Sequence, residues 1–582
     1  MASPQPHSRS NTPSIAPPMR RPLEEDHAPA VSSPLNPNPD PSARARPKAP
    51  QREQREKRET LKKREASAHT RGSTPNPKNK QDPASAPSPM RYSIPEPKYA
   101  DYDPPKDGLF ASHEPLPIFA PDGITELRKP IDHAWNKKGY KYTHCVADPY
   151  FRHKQFYRQS DSRPYGPRMS HEDSDKSFHF DDSGTVFTTE KGWRMGRGNV
   201  VAREGRMYYE VKILKGIPIE GPPPGGETVP GPHIRMGWAR REAPLDAPVG
   251  YDGYSYGITD SRFETIHRSR PNKIFKPLPK GAKSKHAKAR PPHGRPMPVE
   301  LITDQHVHEG DVIGLEIQLP SLSLHRKVVE GIYNPAVDVG DGFDAVASVK
   351  DPLNIDKPLD IIRDRIPVPY KGNFYFEQLD YTCTKSVEAY HDRGPVPKIN
   401  PSPNHEDVGL RSLPNSHVKV YKNGKEVGIA FENILAFLPP ASAPATQPGA
   451  RPGYDDGMVG YFPAISAFNG GICQVNFGPD LWCPPDEMLI QREKDTEMFG
   501  SSTSEPPISE GRKLRAIGER FKEQIAEDVV WDIIDEVDFF TQDGAWEYKG
   551  DALGVTEGKS TPKARGFANP DDNLGVEVGK RY

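Results

Sequence analysis

The stretch that decides the fold is Val418-Lys-Val-Tyr-Lys-Asn-Gly-Lys-Glu-Val-Gly428, followed after a loop by Tyr461-Phe-Pro-Ala-Ile-Ser-Ala-Phe468 and Ile472-Cys-Gln-Val-Asn-Phe-Gly478. Asn423-Gly424 is the dipeptide best suited to two positive φ angles in a tight hairpin. Apolar residues alternate on both sides of it: Val418 and Val420 before, Val427, Ile429 and Phe431 after. Cys473, Val475 and Phe477 share one face of the later strand, with Gln474 and Asn476 on the other. Each strand is therefore expected to bury half its side chains, the pattern of antiparallel sheets packed face to face.

Working outward, the same period of two recurs. Met207, Tyr209, Val211 and Ile213 line one face of Met207-Tyr-Tyr-Glu-Val-Lys-Ile-Leu214, and Ile234, Met236 and Trp238 oppose Arg235 in His233-Ile-Arg-Met-Gly-Trp238. Thr185-Val-Phe-Thr188 is a shorter strand signal. Asp311-Val-Ile-Gly-Leu-Glu-Ile-Gln-Leu319 is a more continuous apolar run, suited to a central strand.

Composition limits how much of the 582 residues joins this core. With 68 Pro, 48 Gly and 34% hydrophobic residues, one large folded unit with disordered arms is expected. A net charge of -1 gives no global field for nucleic acid or membrane. Cys145, Cys383, Cys473 and Cys483 lack the short paired spacing of a structural zinc site and fit a reduced compartment. No apolar run approaches the roughly 20 residues that span a bilayer, and the N-terminus has no signal-peptide core, so a soluble, non-secreted protein is expected.

Residues 1–95 read as a disordered basic and Pro-rich arm, too poor in large apolar side chains to offset the entropy of ordering. Arg52 to Glu65 within it has the charge for a transient helix serving nuclear import or loose phosphate contact. Residues 96–180 read as an ordered lead-in and 181–487 as the sandwich, with inserts at 265–298, 321–410 and 439–457. A linker at 488–512 leads to a helix at 513–541 and a flexible tail at 542–582. In that helix Ala526, Val530, Ile533 and Val537 fall at intervals of four, three and four, and Ile525 and Val529 widen the stripe. A lone amphipathic helix needs its own sandwich or a partner's groove to cover that stripe.

The ordered series Tyr208-Tyr-Glu-Val211, Ile234-Arg-Met-Gly-Trp238, Glu309-Gly-Asp-Val-Ile-Gly314, Tyr421-Lys-Asn-Gly424, Tyr461-Phe-Pro-Ala-Ile-Ser466 and Val475-Asn-Phe-Gly478 resembles a SPRY domain. Ala247-Pro-Val-Gly-Tyr-Asp-Gly-Tyr-Ser-Tyr256, Lys138-Gly-Tyr-Lys-Tyr142 and the acidic-apolar helix resemble, more narrowly, the Ash2/Bre2 subunit of the COMPASS histone methyltransferase complexes. The likeness implies an all-β, concanavalin-like sandwich and a non-catalytic, nuclear subunit without a cofactor. Such a subunit assists a SET-domain methyltransferase acting on the fourth-residue lysine of histone H3. It implies that the SPRY domain holds an acidic segment of a WD-repeat partner, and that the C-terminal helix enters the groove of a small Dpy-30/Sdc1-like dimer. No Cys-rich or winged-helix-like segment precedes the SPRY region, so the chain looks like the shorter fungal form.

The resemblance points to Arg235, Pro248, Tyr251 and Trp193 as contacts for the acidic segment; at the last position relatives more often carry Tyr. Alternation alone already aims Arg235 away from the sheet interface, where a guanidinium can hold a carboxylate in two places. Its bland alternative is a solvated strand arginine, and that of Tyr251 is loop packing. A further family arginine finds Gly257, Ile258 and Thr259 in its place. Ala526, Val529, Val530, Ile533 and Val537 are the expected knobs for the dimer, with Trp531 at the groove's edge. Lys280, Lys283, Lys285, Lys288 and Arg290 sit in a basic insert suited to nucleosomal DNA without sequence readout, the alternatives being a solvated loop or an import signal. Gly253-Tyr-Ser-Tyr-Gly257 matches a hydrolase nucleophile elbow only formally, since no strand-turn-helix context surrounds it. His306 and His308 lack a third ligand for zinc. A SPRY adaptor of a ubiquitin ligase is the other reading, against which the chain shows no zinc-ligand array or ligase-recruiting box.

Overall fold

The computed structural model describes residues 98–102, 117–130, 140–147, 157–218, 231–274, 306–344, 366–370, 372–379, 381, 383–391, 399–440, 455–497 and 510–542. The chain divides into a unit that ends at Asp535 and a second beginning at Glu536, of which only the end of a helix is described. In chain order the strands are β1 Ile118–Phe119, β2 Glu126–Leu127, β3 Tyr140–Ala147, β4 Tyr157–Gln159, β5 Met169–Ser174, β6 Phe178–Phe180 and β7 Val186–Thr189. Then come β8 Arg194–Gly198, β9 Gly205–Lys215, β10 His233–Ala239, β11 Ser255–Thr259, β12 Glu264–His267, β13 Arg270–Lys273 and β14 Val312–Leu319. The series ends with β15 Ile366–Tyr370, β16 Asn373–Leu379, β17 His417–Lys422, β18 Lys425–Glu432, β19 Phe462–Phe468, β20 Ile472–Asn476 and β21 Leu514–Ala516. Among the described residues the α-helices are α1 Leu322–Glu330, α2 Lys385–His391, α3 Asp486–Glu497 and α4 Arg520–Gln542.

Two antiparallel sheets form the sandwich. One runs β13-β12-β11-β10-β19-β8-β5 and the other β18-β17-β14-β9-β20-β7-β6. Their inner faces share one core, in which Tyr209, Val211 and Ile213 of the second sheet meet Ile234, Met236, Trp238 and Ile465 of the first. Tyr209 spans the interface: its ring stands edge-on to Trp238 at 5.0 Å and its hydroxyl donates to the Gly237 carbonyl. Each such fully buried side chain contributes roughly 1.5–3 kcal/mol of transfer free energy.

The deciding hairpin forms as its dipeptide predicts. Asn423 (φ 51°) and Gly424 (φ 80°) both take left-handed conformations between β17 and β18. The Asn423 side chain accepts from Val312 N at 2.8 Å and donates to Asp311 at 2.9 Å, tying the turn to the start of β14. The alternation beyond it differs from expectation. Bulges between Val418 and Lys419 and between Val420 and Tyr421 shift the register. Val427 and Phe431 still reach the core, joined by Ala430, while Ile429 does not. An extra residue in one strand changes which face the following side chains occupy.

Several expected boundaries move. The sandwich draws strands from Met169 onward, since β5 and β6 lie within the lead-in assigned to 96–180. Residues 265–273 of the first expected insert are not an insert, because β12 and β13 extend the first sheet. The second, 321–410, supplies α1, α2 and the pair β15-β16, and β16 pairs with β3 to build a separate four-stranded sheet, β15-β16-β3-β4. Residues 488–497 of the expected linker are helical, within α3. Residues 514–516 form β21, which pairs in parallel with β9, so the last helix starts at Arg520 rather than 513. These C-terminal pieces also cover the outer face of the second sheet: Tyr208 and Tyr421 pack with Met488, Leu514 and Ala516. The half-buried expectation therefore fails there, where Tyr208, Glu210 and Glu316 are all fully buried. Gly314 permits that covering, as a Cβ would lie 2.0 Å from the Tyr208 hydroxyl. The expected arm at 1–95, most of the third insert and the tail past Gln542 lie outside the described residues.

Candidate functional site

The outer face of the first sheet is where the strand alternation sends Arg235. Its neighbours in register are Ser466 on β19 and Thr259 on β11, so all three side chains share that face. The loop from Arg241 to Tyr254 crosses the same surface, pinned by Val249 N donating to Ser466 Oγ at 2.9 Å and by Met195 N donating to the Leu245 carbonyl at 2.8 Å. These anchors bring Pro248, the residue before Val249, beside the Arg235 row. Beneath the loop a second apolar cluster, including Met195, Val249, Tyr254 and Val387, keeps it from collapsing.

The guanidinium of Arg235 lies 4.3 Å from the centre of the Trp193 ring, which itself stacks on Phe468 at 5.0 Å. Among the described residues Arg235 has no salt bridge and no side-chain hydrogen bond. Burial without a directly bonded carboxylate pulls its pKa below the ordinary arginine value, and the field of Asp260 offsets part of this. A half-desolvated, ring-oriented cation whose donors have no partner among the described residues is ready to donate to a carboxylate, because the ordering and part of the desolvation precede binding. Tyr251 is exposed at the far end of the loop, 5.3 Å from the ring of His391 in α2. Arg235, Trp193 and Pro248 are thus gathered on one patch, and Tyr251 extends it towards an element of the second expected insert.

Two residues of this patch escaped sequence reasoning. Phe468 ends β19 and carries the Trp193 ring. His233, directly opposite Phe468, bonds Asp260 at 3.1 Å, and that contact raises its pKa above the usual histidine value against the opposing effect of burial. The signal for both was available, since 233 and 235 share a strand face and Phe468 closes a run of apolar residues, but neither belongs to the motif.

Helix α4 shows a division of faces opposite to the simplest amphipathic picture. Phe521 packs on the sandwich core and Gln524 is buried, its side chain accepting from Val201 N and donating to the Asn199 carbonyl, each at 3.0 Å. Asp528 is buried on the same side. Ile525, Val530 and Ile533 are exposed at 45%, 51% and 47%, Ala526 is exposed and Val529 is half-buried. The helix is moored through a mixed, polar-containing face and leaves its aliphatic stripe to solvent. Val537 lies beyond the residues whose side chains are described. Its inner face also walls a cavity of about 560 Å³ shared with β3 and the β5 edge, lined by charges of both signs including Lys141, Asp173, Arg241 and Asp528.

Other sequence candidates resolve simply or lie elsewhere. Ser255 is buried at the start of β11, donating to Asp252 and accepting from Gly250 N, and a strand follows where a nucleophile elbow needs a helix. Their rings 6.0 Å apart, His306 and His308 flank Val307, and among the described residues no group of three or more His, Cys, Asp or Glu could hold a metal ion. No helix among those residues is long and apolar enough to cross a membrane. Lys280, Lys283, Lys285, Lys288 and Arg290 lie outside the described residues.

No protein-family model matches the chain. It is 43% identical over 553 residues to "COMPASS component cclA" of Colletotrichum higginsianum, covering 91% of this chain and 90% of the relative. It is 32% identical to "Set1 complex component ash2" of Schizosaccharomyces pombe, over 75% of this chain and 52% of the relative. Identity to "COMPASS component BRE2" of Saccharomyces cerevisiae is 24%, over 69% and 87% respectively. A solved human SPRY domain aligns at 13% identity and a TM-score of 0.19, covering 51% of this chain and 94% of that one. The ubiquitin-ligase alternative finds no support among these relatives. With this identity sustained along nearly the whole of a fungal relative, the chain belongs to the Ash2/Bre2 family of COMPASS components.

Proposed function

We propose that the chain is a non-catalytic scaffold and regulatory subunit of a nuclear Set1-type complex that methylates the fourth-residue lysine of histone H3. Relatives named as components of COMPASS and Set1 complexes support the assignment. The observation that carries its mechanism is Arg235, a cation oriented by Trp193 and without a carboxylate partner among the described residues. It suits an acidic segment of a WD-repeat subunit laid across the outer face, with Pro248 and Tyr251 as an apolar shelf. The exposed Ile525, Val530 and Ile533 stripe suits the groove of a Dpy-30-like dimer. Holding both partners beside a SET domain would raise the fraction of enzyme in its productive arrangement, with no chemistry performed by this chain.

The test is affinity purification of the wild-type chain and of Arg235→Glu, followed by mass spectrometry. The wild type is expected to bring SET, WD-repeat and Dpy-30-like subunits, and the variant to lose the first two while keeping the third. Recovery of cullin or RING proteins in their place would replace the reading.

A further inference from the structure

His233 and Arg235 stand two residues apart on β10, and both point outward while Ile234 between them enters the core. We propose that this surface grips two acidic side chains spaced two residues apart on one extended segment, the first through Arg235 and the second through His233 held by Asp260. The proposal rests on the acidic-segment reading above and adds a second recognition residue and the spacing of its ligand.

The geometry favours that spacing. Alternate residues of a strand lie about 6.5–7 Å apart along its axis, and an extended ligand running along β10 repeats its own side chains at the same interval. Asp260 is only 2% exposed and is fixed by accepting from Ile234 N at 2.9 Å, so its carboxylate is not free to leave. It faces Nδ1 of His233 at 3.1 Å. With Nδ1–H committed to Asp260, the other ring nitrogen, Nε2, is the one left for a ligand, and the side chain keeps 31% of its surface exposed. A neutral ring presents a lone pair there and repels a carboxylate; a protonated ring presents an oriented N–H donor.

Among the described residues the charged groups that act on His233 are Asp260, just past β11, and Arg235 on its own strand; β19 offers the Phe468 ring at 6.3 Å. Asp260 favours the protonated ring and Arg235 opposes it. A ligand carboxylate would favour it further, so protonation and binding reinforce one another. Binding through His233 accordingly tightens as pH falls, whereas the grip of Arg235, charged throughout, contributes no such dependence. Thr259, in register with Arg235 on β11, carries no charge, so on this strand His233 is the other side chain of the Arg235 face able to bear a positive charge.

The experiment uses the full chain and, as probe, the acidic segment of the complex's WD-repeat subunit made as a synthetic peptide, with each Asp and Glu replaced in turn by Asn or Gln. Affinities are measured at pH 6 and pH 8 for the wild type, His233→Gln and Arg235→Ala, with melting temperatures confirming that each variant folds. The expected result is wild-type binding about three- to tenfold tighter at pH 6, and little pH dependence in His233→Gln. Double-mutant cycles should couple one ligand acid to His233 and another, two residues away, to Arg235. Undiminished pH dependence in His233→Gln, or coupled acids at another spacing, overturns the proposal alone. If Arg235→Ala binds every peptide as the wild type does, or the wild type binds none, the acidic-segment reading falls and takes this one with it.

Discussion

Replacing Gln524 by Ala should free helix α4 without unfolding the sandwich. The amide of Gln524 satisfies two backbone groups, Val201 N and the Asn199 carbonyl, at 3.0 Å each. Val201 is fully buried, so its stranded N–H bears a desolvation penalty of about 1–3 kcal/mol, while the half-buried Asn199 carbonyl can recruit water and loses about 0.5–1.5 kcal/mol. Side-chain entropy regained by removing Gln returns roughly 1–1.5 kcal/mol. The net cost is about 0.5–3 kcal/mol, borne by opening of the helix, which corresponds to roughly a two- to 150-fold rise in local opening. Hydrogen exchange followed by mass spectrometry reads this directly: amides of 520–534 should exchange faster by that factor, with β19 and β9 unchanged. Lys522→Ala, on the exposed side, should shift exchange by less than about twofold. The reasoning is refuted if Gln524→Ala leaves helix exchange at the wild-type rate, or if β19 accelerates as much as the helix.

Other consequences follow from the same structure. Burial alone would raise the Glu316 pKa, but His417, Arg206, Lys419 and Tyr421 around it outweigh this and lower it from 4.5 to about 2. A lowered carboxylate pKa contributes stability that is present above about pH 4.5 and lost as pH falls towards about 2, on the order of 3 kcal/mol; urea melts across that range should show the loss, and Glu316→Gln should flatten it. Asn423→Ala removes the ties to Val312 and Asp311 and places a Cβ-branchless but non-Gly residue at φ 51°, for a cost of about 2 kcal/mol in chemical denaturation; an unchanged midpoint would contradict the turn's role. Val530→Asp should abolish recovery of a Dpy-30-like dimer in pull-downs while the melting temperature holds, and retention of the dimer would assign the stripe elsewhere. Deleting residues 276–290 should weaken nucleosome affinity at low salt; equal binding would remove DNA from the partners of that segment.

The sandwich was legible where one residue type dictates one local conformation or one face. Asn423-Gly424 fixed its turn, and the alternations at Met207–Ile213, Ile234–Trp238 and Cys473–Phe477 put the right side chains into the core. Gly428, at φ 144° beside one of the hairpin's bulges, was the marker available, and without reading it as a bulge the displacement of Ile429 was hidden. The sheet built from β3 and β16 was invisible for another reason: Tyr142 pairs with Glu377, and nothing local announces a partner so distant in sequence. The covering of Tyr208 and Glu210 by the chain after β20 was missed likewise. Helix α4 was legible in its stripe but not in its mooring, because a buried Gln524 and Asp528 look like solvent-facing residues until their partners are known. At the patch, Arg235 was readable from phase alone, whereas Phe468 and His233 acquire meaning only across the β10-β19 pair.

Strand β9 has a consequence for how the protein is made. One edge pairs with β14, and the other is divided between β20 and β21. The ribosome completes β9 at Lys215, yet the last of these neighbours is finished about 300 residues later. At synthesis rates of about 5–20 residues per second that interval is on the order of 15–60 s. Until β19 and β20 follow, about 250 residues into that interval, the Met207, Tyr209, Val211 and Ile213 face belongs to a nascent chain that cannot yet close its sandwich. Such an interval leaves that apolar face available to chaperones and to aggregation during translation.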